Sequence, residues 1–145
     1  MRIGTIPLIL SAFLMTATPA QEAPRTPATT SAEGRAILHS ALVELAAGLG
    51  KPAQLDVKSL RVSGEWAFVY ASIQGAGGRP IDYQGTPFAE EAEAGLKSHV
   101  YAGLLRGSGE HWTLVASVVG PTDVAWTDWA RQYSAPAAIF ELPAD

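Results

Sequence analysis

The chain has 145 residues, 48% hydrophobic and 17% charged, with ten Lys and Arg against fourteen Asp and Glu, a net charge of −4 and no cysteine. That length fits one domain with a core of its own. The missing cysteine excludes a disulfide framework, thiol catalysis, a thiolate zinc centre and a lipid-anchoring cysteine. Mild acidity with no run of Lys or Arg excludes a reader of phosphate backbones, so nucleic acid is not an expected partner.

Arg2 supplies one positive charge, Ile6 to Met15 form an apolar run broken by Pro7 and Ser11, and Thr18-Pro19-Ala20 place small residues where a signal peptidase reads. Residues 1–20 therefore read as a signal peptide cleaved near Ala20; the run is about half of the roughly twenty residues a membrane span takes. The alternative, an uncleaved anchor, finds no later hydrophobic segment to lengthen it. The expected mature form loses Arg2, carries −5, and is a soluble periplasmic or secreted bacterial protein without a membrane span. Gln21 to Thr30, rich in Pro, Thr and Ala, is expected to be a flexible lead-in, and residues 31–145 a single α+β domain.

Thr30-Ser31-Ala32-Glu33 fits a capping box with Thr30 as the N-cap. Ile37, Leu38, Ala41, Leu42, Leu45 and Leu49 then recur at helical spacing, and Gly48 or Gly50 ends the helix before Pro52. Leu55 and Val57, then Leu60 and Val62, alternate in two registers, which predicts a β-bulge near Lys58-Ser59. Trp66, Phe68 and Tyr70 alternate on the returning strand. A three-residue loop at Ser63-Gly64-Glu65 would set Val62 opposite Trp66 and Leu60 opposite Phe68, with all four on one face.

Gln74 to Phe88 is too rich in Gly and Pro to be one regular element. Gly75-Ala76-Gly77-Gly78 lacks the Lys-Ser/Thr that follows a phosphate loop, so it reads as a turn tip. Thr86-Pro87 resembles a helix start, and Pro87 to Lys97 a short helix. A second hairpin follows, with Val100, Ala102 and Leu104 on one strand, a turn at Gly107-Ser108-Gly109, and Trp112, Leu114, Ala116 and Val118 returning. Pairing Arg106 with Glu110 sets Trp112 opposite Leu104. After Gly120-Pro121, Thr122 or Asp123 is expected to cap a final helix carrying Trp126, Trp129, Ala130 and Tyr133 on one side. Ala137 to Leu142 is a short strand or a packed tail. The expected fold is α+β: an N-terminal helix packed on a four-stranded antiparallel sheet made of two hairpins, plus a C-terminal short helix. Trp66 and Trp112 would share the face under the first helix.

No residue reads as catalytic, and no cofactor or metal is implied. The register sets His99 opposite Ser117 and His111 opposite Leu105, and His39 lies elsewhere, so the three histidines lack metal spacing. Six residues are candidates for binding. Asp82 and Tyr83 lie in the Gly/Pro-rich connection, where loops often carry function, or else make a turn and plug the core edge. Asp123 is a ligand anchor or general base, or a helix cap. Trp126, Trp129 and Tyr133 form a stripe that is core if covered and a partner or sugar surface if exposed.

The stretches Leu60 to Val69 (LRVSGEWAFV), Tyr101 to Arg106 with Trp112, and Gly120 to Trp126 (GPTDVAW) resemble a set of small exported proteobacterial proteins. The likeness spans most of Ala36 to Leu142 and implies export, but no catalytic residue. The element order also resembles the cystatin-like or NTF2-like class, which implies a helix on a curved antiparallel sheet. The functional expectation is an exported binding module for a protein partner or a small ligand, of inhibitor or immunity type. The alternatives are a small enzyme with a pocket between sheet and first helix, using Asp82 or Asp123 with a histidine, and a structural accessory of the envelope.

Overall fold

The computed structural model describes Gly4 and residues 23–144, so the expected signal peptide lies outside the described residues apart from Gly4. The order of elements is α1 (Ala32–Leu49), β1 (Gln54–Ser63), β2 (Trp66–Gln74), α2 (Ala89–Glu93), β3 (Val100–Ser108), β4 (His111–Val119) and α3 (Trp129–Tyr133). The four strands form one antiparallel meander in the order β1-β2-β3-β4. The α+β plan expected from the sequence is therefore present: N-terminal helix, four-stranded antiparallel sheet of two hairpins, short C-terminal helical region. Among the described residues no helix is long and apolar enough to cross a membrane.

The cap of α1 is Ser31, one residue beyond the expected Thr30. Its hydroxyl accepts from the Gly34 amide at 3.0 Å and donates to the Ala28 carbonyl at 2.6 Å, so the incoming turn holds it in place. Glu33 consequently does not close a capping box. Arg25 donates to both of its carboxylate oxygens, and the guanidinium holds the Glu33 carboxyl below its ordinary range. Gly50, at φ 71°, ends the helix by donating to the Ala46 carbonyl. The lead-in is tied to the sheet, since Arg25 and Val62 exchange both backbone hydrogen bonds at 2.8 Å.

The bulge expected near Lys58-Ser59 is there, between Val57 and Ser59. The hairpin turns are shorter than expected, and this changes which side chains share a face. Ser63 pairs with Trp66, leaving Gly64-Glu65 as a two-residue turn with Gly64 at φ 57°. Ser108 likewise pairs with His111 across Gly109-Glu110, with Gly109 at φ 58°. Both glycines hold the first central position, where a type II′ turn needs positive φ. Shortening the first loop by one residue moves Trp66, Phe68 and Tyr70 to the face away from Leu60 and Val62, because side chains alternate with period two. Gly107, not Leu104, stands opposite Trp112. Trp66 and Trp112 therefore point to opposite sides of the sheet, contrary to the expectation that they share one.

A second bulge, between the pairs Leu104–Ala116 and Leu105–Leu114, leaves Val115 unpaired on β4. It restores parity, so that Trp112 and Leu114 face α1 while Ala116 and Val118 face away. Single-sequence alternation gives no sign of it.

Two cores result, one on each face. Under α1, Ile37, Ala41, Leu45 and Leu49 pack on Leu60, Val62, Val69, Ile73, Tyr101 and Leu105. On the opposite face Phe68, Ala102 and Leu104 are covered by Trp126, Trp129, Ala135 and Ile139. The Phe68 ring centroid lies 5.9 Å from Trp126, 6.4 Å from Trp129 and 4.8 Å from Phe140. The C-terminal segment thus forms a third layer. It is less helical than expected: residues 122–124 are irregular and 125–128 turn, α3 spans five residues, and Ala137–Phe140 is a 3₁₀ turn packed on the second core rather than a strand. Burial of the indoles, more than helix propensity, fixes its path.

Both sheet edges are blunted, as exposed strands require. The lead-in covers β1 at Val62. On β4, the Trp112 carbonyl accepts from the Ser40 hydroxyl and the Val119 carbonyl from the Lys97 ammonium, each at 2.9 Å.

Within the first core the Tyr101 ring lies against Gly103, where an added Cβ would come within 2.7 Å of the Tyr101 oxygen. An aromatic ring covering a strand glycine compensates for its missing side chain. The hydroxyl is near Ser117 yet makes no hydrogen bond of normal geometry, and burial raises its pKa. Removing a buried hydroxyl without a partner is close to neutral or stabilising, by up to about 1 kcal/mol. Tyr101→Phe is expected to hold or raise the urea midpoint; a loss of more than about 1 kcal/mol would show a bonded hydroxyl. In the second core, Trp126→Ala and Phe68→Ala are each expected to cost about 3–5 kcal/mol in equilibrium denaturation. A cost near zero for Trp126→Ala would show that the C-terminal layer does not cover the sheet.

Candidate functional site

The Gln74 to Phe88 connection folds back beside the end of β2. The Gly75 amide donates to the Arg79 carbonyl at 2.8 Å, and the Ile81 amide to the Ile73 carbonyl at 3.1 Å. Residues 80–81 thereby run antiparallel to 73–74, with Gln74 bridged to Pro80. Ala76–Gly78 is a single 3₁₀ turn at the tip. Across from it the chain leaves α1 through Lys51 and Pro52 and enters β1 at Gln54.

A cleft of about 560 Å³ lies between these two segments. Pro52, Ala53, Ala76, Pro80 and the edge of Ile81 contribute its apolar walls, and Lys51, Arg79 and Asp82 its charges. Its volume is in the range of small-molecule sites, which are concave, largely apolar and oriented by a few polar groups. The Lys51 ammonium donates to the Gln84 carbonyl at 2.8 Å, which ties the two walls together.

Of the six residues expected to bind, Asp82 alone lines this cleft. It is exposed, and its Oδ1 accepts from the Gln84 amide at 3.0 Å, the geometry of an Asx turn. Tyr83 points the other way. It is buried, donates to the Ser98 carbonyl at 2.6 Å, lies parallel to the His99 ring at 6.1 Å and meets Phe88 edge-on at 6.2 Å. It is the plug at the core edge. Asp123 is exposed in a turn and caps no helix, because the residues after it are not helical. Trp126 and Trp129 are buried against Phe68, and Tyr133 is half-buried beside them. Asp82 and Tyr83 also share the lining of a smaller cleft of about 230 Å³ with Glu93 and His99, whereas Trp126, Trp129 and Tyr133 meet only as core.

His99 precedes β3 and stacks on Tyr83, and His111 pairs with Ser108, so the expected register placed both wrongly. All three histidines are exposed. Among the described residues no group of three or more His, Asp or Glu side chains is placed to hold a metal ion. The expected helix Pro87 to Lys97 is only Ala89–Glu93; its N-cap is Phe88, and the Thr86 hydroxyl accepts from the Phe88 amide at 3.1 Å in the turn before it. Lys97 instead turns inward, its ammonium 4.9 Å from the Phe88 ring centroid and 3.2 Å from Glu91.

Sequence reasoning missed Lys51, Pro52, Arg79 and Pro80. The one local signal is the apolar pair Pro80-Ile81 inside the Gly-rich connection. Between the sheet and α1, the place an enzyme pocket would occupy, Ile37, Ala41 and Leu49 fill the interface and are fully buried.

Burial pushes the Tyr83 hydroxyl up to about 12 from an ordinary value of 10.0. A raised folded-state pKa adds stability that is whole below the unfolded value and is lost as pH climbs through the folded one. The urea midpoint is expected to fall between about pH 10 and pH 12, and less steeply in Tyr83→Phe. An unchanged slope in that variant would mean that Tyr83 ionises as it does in water.

In comparisons with protein-family models, curated proteins and solved structures, nothing matches this chain.

Proposed function

We propose that the domain is an exported binding module that takes a small ligand in the cleft between the Lys51–Gln54 and Gly75–Asp82 segments. The cleft itself carries this reading: a concave, largely apolar space with charged groups at its mouth, built on a sheet anchored from both faces. A rigid scaffold presenting loops is the arrangement in which binding sites recur. The protein-partner form of the reading drew on an exposed aromatic surface, and the buried Trp126 and Trp129 remove that support. The signal-peptide pattern at residues 1–20 supports a periplasmic or secreted location.

The test begins with expression in a bacterial host and recovery from the periplasm, where the mass is expected to correspond to a chain starting at Gln21. A chain retaining residues 1–20 would overturn the export reading. Titration of that protein with a library of small organic fragments, followed by amide chemical shifts, should move Ala53 and residues 75–82 together. Ala76→Trp, which fills the cleft, should abolish those shifts. Fragment shifts elsewhere only, or none, would overturn the binding reading.

A further inference from the structure

We infer that the cleft selects a small amphipathic monoanion, an apolar body bearing one carboxylate-type charge, with Arg79 as its anchor. This rests on the cleft-binding reading above. The chemistry follows from which charged groups at the cleft are already engaged.

Among the described lysines and arginines, only Arg35 and Arg79 have neither an ion pair nor a side-chain hydrogen bond. Arg35 stands on the exposed side of α1, away from any cavity lining, whereas Arg79 lines the cleft. The Lys51 ammonium keeps its charge, but its bond to the Gln84 carbonyl holds it to the cleft wall, which leaves Arg79 as the cation with no side-chain partner there. A guanidinium offers paired N–H donors that match a carboxylate in plane, which a lysine does not.

Asp82 lines the same cleft three residues on, and its carboxylate is already turned toward the Gln84 amide. It repels a second negative charge, so the cleft suits a monoanion better than a dianion such as a phosphate monoester. The rest of the lining narrows the body of the ligand. Gln54 is the single uncharged polar side chain there, and Pro52, Ala53, Ala76 and Pro80 offer only apolar surface. A sugar or a peptide would need several convergent hydrogen-bonding groups, and these walls do not supply them.

Three isosteric probes separate charge from shape: 4-phenylbutyrate, 4-phenylbutanol and 4-phenylbutylamine, titrated into the exported protein and followed by amide shifts. The acid should bind about three- to fivefold tighter than the alcohol, the size of effect an exposed ion pair supports, and the amine most weakly. Arg79→Gln should remove most of the difference between acid and alcohol; Arg79→Lys should keep more of it than Arg79→Gln does. Raising the salt from about 0.02 to about 0.5 M should narrow the same gap. Because Arg79 is exposed, the retained amide spectrum of each variant checks that folding is intact. Equal binding of acid and alcohol at the cleft, or acid binding indifferent to Arg79→Gln, overturns the anionic assignment and leaves the cleft reading standing. Absence of any cleft shift from these probes and from the fragment library overturns both.

Discussion

The parity of β2 governs this molecule. Ala67, Val69, Ala71 and Ile73 point to α1, while Trp66, Phe68 and Tyr70 point to the opposite side. A strand that alternates small or branched residues with large aromatic ones cannot leave either face in water. Each buried aromatic removes roughly 150–250 Å² of surface. The two-residue turn at Gly64-Glu65 sets that parity, and the rest of the chain must supply two covers. The leucine-rich helix is one. The tryptophan-bearing C-terminal segment is the other, and its path follows the ring of Phe68, to which Trp126, Trp129 and Phe140 all come close.

A sheet held from both faces leaves its ends as the places where loops have freedom to shape a cavity. The long connection after β2 uses this freedom. Its glycines allow the tight reversal at residues 75–79, and Pro80-Ile81 then returns beside β2 with Ile81 buried in the first core. That single buried side chain, with Tyr83 and its bond to the Ser98 carbonyl, moors a segment that has little regular structure of its own. The cleft exists because the mooring holds one wall while Pro52 and Gln54 hold the other. Stability and the candidate site are thus linked through the same few contacts.

Charge placement divides along similar lines. Exposed pairs such as Glu65–Arg106 at 2.6 Å and Asp56–Lys58 at 2.6 Å lie at turns and edges. Pairs of this kind contribute little to folding, about 0–1 kcal/mol each, but charges on edge strands discourage pairing with other chains. Arg79 departs from this pattern, a cation left without a partner beside apolar walls. The inference about ligand charge grows from that departure.

The amino-acid order alone determined the elements that depend on local periodicity and on turn residues. The amphipathic run from Ile37 to Leu49, the bulge where Val57 and Leu60 change register, the Gly-centred hairpins and the irregular Gln74 to Phe88 stretch are all readable from spacing. Tertiary structure decided whatever turns on a single residue of register. Loop length at Gly64 moved Trp66 away from Trp112, and the Val115 bulge, invisible in the alternation, sent Ala116 and Val118 to the face opposite Trp112. The stripe Trp126, Trp129 and Tyr133 could be recognised as apolar from its spacing, but its burial depended on an uncovered sheet face that only the register creates. The cleft belongs to the same category, because its walls are separated in sequence by the whole first hairpin and meet only when Ile81 docks beside Ile73.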